Sequence, residues 1–341
     1  MLLCGLFDFG RVVFFLHGRA LPELSLKNKR LYSADAARRR VPREQTTEDR
    51  MRKPITALCF LALISAPLRA APQAVVDAVQ APAWVERDGK QQPAAVGMEV
   101  RGSDRIRTGK DSRIYLKLAD GSTVKLGENG VLLLENLGGQ ESGKGKRLFT
   151  AALDVLQGAF RFTTDKLARP VGRDVKIRVS TVTAGIRGTD IWGRTEPERD
   201  FVCLLEGRIS VGHKDGDTRE MSEPMTFYLA PRNQPPQGIA PVDPEQVRKW
   251  AAETEIKGGD GATRRGGKWK VLLASAGSQQ EALDAYDKAR GAGFAASIRP
   301  RTKEGVTTYE VLLRDLPSKA EAQVLAGKAR AVLGLEAAPT L

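Results

Sequence analysis

Two histidines and three cysteines in 341 residues leave the sequence short of the side chains that build metal centres, disulfide frameworks and Ser-His-Asp triads. The cysteines are Cys4, Cys59 and Cys203, too scattered for a metal knuckle. Cys203 stands in the apolar stretch 201–205, where an unpaired cysteine reads as a small core residue. His213 follows Gly212 on an expected turn and reads as solvent-exposed rather than as a catalytic base. No pair of carboxylates is set apart by its surroundings, as glycoside hydrolysis would need. Gly138, Gly143 and Lys144 repeat most of a phosphate-binding loop, but Gly145 occupies the place where Ser or Thr must reach magnesium, and no strand and helix flank it. These shortages assign no catalytic residue, no metal ligand and no cofactor. The chain reads as non-enzymatic.

What is present is the composition of a folded protein, 41% hydrophobic and 28% charged, at a length that allows about two domains. Arg52 and Lys53 precede the apolar run 55–66, which closes on Pro67, Leu68, Arg69 and Ala70. A basic start, a short apolar middle and a small residue for cleavage make a secretory signal, and the run falls short of the ~20 residues that span a bilayer. We therefore read 51–70 as a signal peptide and 1–50 as an upstream extension or a mis-assigned start. The competing segment, 2–16, is interrupted by Asp8 and Arg11. Removal of residues 1–70 leaves Cys203 as the single cysteine and lowers the formal net charge from +13 to +6. A mildly basic mature surface suits an anionic wall or membrane and argues little for nucleic acid. A periplasmic or secreted location is expected.

Past a short amino-terminal segment, 71–96, the pattern changes to apolar runs broken by turn residues. Runs such as 114–118, 124–126, 131–134, 155–162, 175–179, 201–205 and 209–211 are rich in Val, Ile and Phe, with Asp120-Gly121 and Glu128-Asn129-Gly130 between them. That is an all-β domain over 97–230, a β-sandwich or β-roll. Alternation in 114–118 places Ile114, Leu116 and Leu118 on one buried face. Residues 137–147, dense in Gly, Ser and Lys, are expected to form a mobile loop. Residues 231–266 read as a Pro- and Gly-rich linker with a short helix at 245–256, capped by Asp243 and Pro244. Its last part, 257–267, carries five glycines and is expected to be flexible.

Residues 267–341 have a different rhythm. Strands at 269–275, 294–300 and 306–313 alternate with helices at 279–290 and 318–333. Ser278 with Glu281, and Ser318 with Glu321, spell the same capping box twice. A β-α-β-β-α order builds a split βαβ sheet with both helices on one face and the other face open.

Two resemblances follow from particular residues. Trp269-Lys270-Val271-Leu272-Leu273-Ala274-Ser275, Glu281-Ala282, Gly291 to Phe294, Thr308-Tyr309-Glu310-Val311-Leu312-Leu313 and Glu321-Ala322 resemble the SPOR family, small α+β domains that recognise peptidoglycan glycan strands stripped of their peptides. The resemblance implies glycan contacts on or beside the open face from Trp269, Lys270, Ser275, Arg299 and Tyr309, since aromatic and long polar side chains stack on and hydrogen-bond sugars. The sequence departs from the family at Leu272, where glutamine is frequent, and at Glu310, where arginine is frequent. In the β domain, Val179-Ser180-Thr181-Val182-Thr183-Ala184-Gly185-Ile186-Arg187-Gly188-Thr189-Asp190-Ile191, with Gly102 to Gly109 and Leu118 to Ser122, resembles the FecR family of bacterial envelope domains. Within its motif of Arg187, Gly188 and Thr189, the glycine is expected to make a tight bend and the arginine to bridge a carboxylate such as Asp190 or Glu206, or else to contact a ligand.

Together these readings describe a periplasmic or secreted binding protein. Its partners would be peptidoglycan glycan strands and a further envelope protein or ligand, with no nucleic acid and no transmembrane span in the mature chain. The competing readings are an envelope signalling protein acting through the FecR-like domain, and an accessory part of a wall-modifying hydrolase.

Overall fold

The computed structural model describes residues 72–142, 146–165, 172–186, 188–214, 216 and 218–340. The expected signal peptide and upstream extension lie outside the described residues. Among the described residues no helix is long and apolar enough to cross a membrane.

Two layers of strands share one core. The first layer contains β1 (Ala74–Gln80), β4 (Glu99–Val100), β6 (Arg113–Leu118), β7 (Thr123–Leu126), β12 (Asp190–Thr195), β13 (Arg199–Glu206), β16 (Thr226–Pro231), β17 (Ala240–Pro241) and β18 (Thr263–Arg264). The second contains β2 (Ala83–Arg87), β3 (Lys90–Pro93), β5 (Arg105–Thr108), β8 (Val131–Ser142), β10 (Gly172–Val179), β11 (Val182–Ile186), β14 (Ile209–His213) and β15 (Thr218–Met221). The long β9 (Lys146–Thr163) belongs to both. Its first half pairs with β8 and, in parallel, with β10; its second half pairs with β7 and β12. The change of layer falls at Gly158, which has φ 85° and whose added Cβ would stand 2.8 Å from the Cα of Gly130, so only glycine fits.

Between the layers, Val76, Ile114, Leu116 and Leu118 of the first meet Val85, Ile106, Leu134 and Ile177 of the second. The expected alternation of Ile114, Leu116 and Leu118 is borne out: they are 0–3% exposed. Tyr115, on the reverse face of that strand, is buried as well, and what covers it is the connecting segment described below.

Three sequence expectations need correction here. The β domain extends beyond 97–230, because residues 74–93 supply β1, β2 and β3 to both layers. The expected mobile loop at 137–147 is, in its described residues, paired strand from Leu137↔Ala151 out to Ser142↔Lys146; glycines and serines weaken a strand without preventing ladder hydrogen bonds. His213 is buried at the end of β14, paired with Val182, because the turn begins one residue later.

Residues 269–340 form a second sheet, order β20-β21-β19-β22, from β19 (Trp269–Ala276), β20 (Ala296–Lys303), β21 (Val306–Leu316) and β22 (Ala338–Thr340). Helices α2 (Gln279–Gly291) and α3 (Lys319–Leu333) pack on one face; α1 (Pro244–Thr254) precedes them in the connecting segment. The buried residues Ala282, Ala285 and Ala289 of α2 and Ala322, Leu325, Ala326, Ala329 and Leu333 of α3 recur at three- and four-residue steps, the spacing of one helical face. With Val271, Leu273, Val311 and Leu313 they make the core of this domain. The edge strand β22 is an addition to the sequence reading.

Candidate functional site

The register of the small sheet decides which side chains reach its open face. Ser297, Leu312, Leu272 and Ala338 lie in one cross-strand row, and Arg299, Glu310 and Ser275 in the next. Arg301 pairs with Thr308 one row further on. Val311 and Leu313 belong to the helix-side core, so the residues that alternate with them, Glu310 and Leu312, point the opposite way. In β19 a bulge between Leu272 and Ala274 shifts the register by one residue. Leu273 and Ala276 both pack on the helix side, and Ser275 is thereby turned to the open face.

Of the five residues expected to touch sugar, Ser275 and Arg299 share a row of the open face, and Lys270 lies on the same face, paired with Thr340 of β22. Trp269 and Tyr309 do not join them. Both pack against the helix-side core, and the Tyr309 hydroxyl accepts a hydrogen bond from Nε2 of Gln279 at the start of α2 at 3.2 Å. Tyr309 is in phase with Val311 and Leu313, so simple alternation turns it inward. Arg301, which the sequence reading passed over, is on the open face and forms an ion pair with Glu310 at 2.8 Å, a contact that raises the guanidinium pKa. Glu310, the family departure, therefore carries an arginine partner. Among the described residues Arg299 and Arg314 make no ion pair, which leaves the face with exposed cations beside an apolar centre at Leu272 and Leu312.

The doubled capping box serves two different ends. In α2, Ser278 Oγ accepts from Glu281 N at 3.2 Å and the Glu281 carboxylate accepts from Gly277 N. In α3, Ser318 Oγ accepts from Glu321 N in the same way, but the Glu321 carboxylate leaves its own helix. It accepts from the backbone N–H groups of Gly259 at 2.7 Å, Gly261 at 2.5 Å and Ala262 at 3.1 Å. The glycine-rich stretch expected to be flexible is thus held by a carboxylate some sixty residues away, and β18 just after it pairs with β1.

The rest of the connecting segment is held equally closely. Trp250 of α1 stacks on Trp192 of β12, centroids 5.0 Å apart and planes 3° from parallel, with Phe201 tilted beside both. Glu253 pairs with Arg194. Burial pushes the Glu253 carboxyl above the usual range, with Arg194 opposing the rise. Glu255 lies lower than usual: burial alone would raise it, but hydrogen bonds from Lys125 and Tyr115 and the nearby charges of Lys125 and Arg161 outweigh that. Tyr115 hydroxyl donates to Glu255 and accepts from Ile256 N, and burial carries its pKa up to about 12. Gly293, at the end of α2, sits under Trp84 and Pro82 so closely that a Cβ would stand 2.6–2.7 Å from their side chains. This connecting segment, residues 244–264, is a strap that together with the strands joins the two domains by specific contacts.

At the 187–189 motif, Arg187 lies outside the described residues. Gly188 has φ 73°, as the expected bend requires. Thr189 is 1% exposed; its N–H donates to Thr164 Oγ1 at 3.1 Å and its carbonyl accepts from Thr164 N. Gly207 backs the bend, with no room for a Cβ, which would lie 2.5 Å from the Gly188 carbonyl. Asp190, one of the carboxylates expected to receive Arg187, is held bidentately by Arg161 at 2.7 and 2.9 Å. Cys203 is fully buried and its thiol pKa is raised to about 12 by desolvation, in keeping with a core role. Among the described residues no group of His, Cys, Asp and Glu is placed to hold a metal ion.

Two family models match this architecture. One, described as FecR protein, covers residues 104–210, and the other, described as SPOR domain, covers residues 265–339. The chain carries a FecR domain and a carboxy-terminal SPOR domain. Both are non-catalytic families, and SPOR domains bind peptidoglycan, which indicates association with the cell wall. The pairing fits an envelope signalling protein with a peptidoglycan-binding module. No curated protein matches the chain. Among solved structures, two crystal structures of a "putative anti-sigma factor from Parabacteroides distasonis ATCC 8503" align at 13% identity with TM-scores of 0.36 and 0.35, each over 60% of this chain and 96% of the other.

Proposed function

We propose that the chain is an exported, non-enzymatic envelope protein that lays a peptidoglycan glycan strand along the open face of its SPOR sheet and presents its FecR domain to a second partner or ligand. The observation that supports this reading is the face itself. Ser275 and Arg299 in one row, Arg301 in the next and Lys270 toward the β22 edge offer donors to sugar hydroxyls and carbonyls over an apolar floor at Leu272 and Leu312. Trp269 and Tyr309 act by holding the sheet on its helices rather than by stacking on sugar.

The test is a pulldown of the full chain with intact sacculi and with sacculi whose peptides an amidase has removed. Binding is expected to be stronger to the stripped glycan, and Arg299→Ala combined with Arg301→Ala to weaken it without lowering the melting temperature. Absence of binding to both preparations would remove the proposal. Release of soluble fragments from the sacculi would instead make the protein a hydrolase.

A further inference from the structure

A cavity of about 190 Å³ opens on the FecR domain where the end of α1 meets three elements of the β layers. Arg113 at the start of β6, Glu128 and Asn129 in the turn after β7, the bend at Gly158 and Ala159, and Arg194 with Glu253 line it. Two guanidinium groups and two carboxylates therefore share one small space, and they are not matched pairwise. Arg194 is fully engaged by Glu196 and Glu253. Arg113 is half-buried, yet among the described residues it meets only neutral oxygens: the Glu253 carbonyl at 3.0 Å and Gln80 Oε1 at 3.4 Å. Glu128 accepts one hydrogen bond, from Asp111 N at 2.9 Å, and among the described residues has no cationic partner. A half-buried guanidinium without a counter-charge is unfavourable, and the two unmatched groups of opposite sign line the same cavity.

We propose that this cavity binds a small zwitterion, an α-amino acid with a short side chain, its carboxylate on Arg113 and its ammonium on Glu128. The free guanidinium N–H groups of Arg113 suit a carboxylate, and charge-assisted hydrogen bonds of this kind are the strong ones. Size agrees. At ~30 Å³ for each water in the liquid, the cavity has the room of about six waters, enough for a molecule the size of alanine. Glu128 and Asn129 are exposed and form the mouth. The inference does not depend on glycan binding, since none of these residues belongs to the SPOR sheet.

The experiment is calorimetric titration of the full chain with D-alanine, L-alanine, acetate and methylammonium. Saturable binding of at least one alanine enantiomer is expected, with a dissociation constant on the order of 1 mM or tighter, and neither half-ligand is expected to match it. Glu128→Gln, a surface change that leaves the fold alone, is expected to weaken binding at least tenfold while sacculus binding is unchanged. Arg113→Gln is expected to do the same, with near-ultraviolet circular dichroism of the Trp192–Trp250 stack checking that α1 remains docked. No saturable binding of either enantiomer, or binding that both variants retain, would overturn the proposal, and so would acetate binding as tightly as alanine.

Discussion

Glu321→Ala removes one side chain and three hydrogen bonds at once, and its effect can be worked out donor by donor. Gly261 and Ala262 are buried, whereas Gly259 is exposed and finds water when the carboxylate is lost. Leaving a buried N–H unsatisfied costs roughly 1–3 kcal/mol, so two of them weaken the closed state of the strap by about 2–6 kcal/mol. At 1.4 kcal/mol per factor of ten, the lower figure alone raises the open population about thirtyfold. The strap offers its own reporter, because Lys257, Arg264, Arg265 and Lys268 are trypsin sites within or beside the held segment. When opening is fast relative to cleavage, nicking follows the open population. Tryptic cleavage between 257 and 268 in native Glu321→Ala is therefore expected to run at least thirty times faster than in the parent. Glu281→Ala is the matched control, since Glu281 holds only Gly277 N at 3.2 Å on the surface, and its cleavage rate is expected to stay within about twofold of the parent, in line with the small net value of an exposed hydrogen bond. Equal rates in parent and Glu321→Ala would refute the claim that this carboxylate closes the strap.

The aromatic stack gives a second prediction: Trp250→Ala deletes the contact with Trp192, Phe201 and Phe227 and is expected to cost roughly 2–4 kcal/mol, read as a lower melting temperature with loss of the near-ultraviolet circular dichroism of the paired indoles. Unchanged spectra would mean that α1 is not docked in solution. Acid provides the third. Because the folded pKa of Glu255 lies below the ordinary glutamate value of 4.5, its contribution is fully present above that value and is lost as pH falls through the folded pKa. Glu253 acts in the opposite sense, since its raised pKa favours the folded state at lower pH. Glu255→Gln is expected to flatten the fall in stability below about pH 4.5, and an acid limb as steep as the parent's would show that Glu255 is not linked to folding.

Much of this architecture is legible in the sequence because it rests on local signals. Asp120-Gly121 and Glu128-Asn129-Gly130 mark turns that the strands obey, and Ser278 and Ser318 start their helices where the capping pattern places them. What escaped the sequence reading depends on partners far along the chain. Glycine content in 257–267 measures how much freedom the unfolded backbone has, and it contains no information about a carboxylate at 321 that ends that freedom. The small sheet shows the same limit at finer scale. Plain alternation in β21 sends Tyr309 to the helices, but Ser275 faces outward only because Leu273 is an extra residue in its strand, and a bulge leaves no mark that one sequence reveals. The cavity beside Arg113 is assembled from five separated segments, none of which carries a motif for ligand binding.

The pairing of β1 with β18 has a consequence for the order in which the molecule assembles. Ala78 and Val79 find their edge partners at Arg264 and Thr263, so that part of the first strand stays an open edge until nearly the whole β domain has been made. Contacts of such long sequence separation form late and slowly. The SPOR sheet, by contrast, draws all its strands from 269–340 and closes on neighbours. The SPOR segment can thus complete its own sheet promptly, whereas β1 waits for residue 264, and the link at Glu321 forms only when both are in place. Until then the exposed half of β1 is where a newly made chain is open to pairing with another copy of itself.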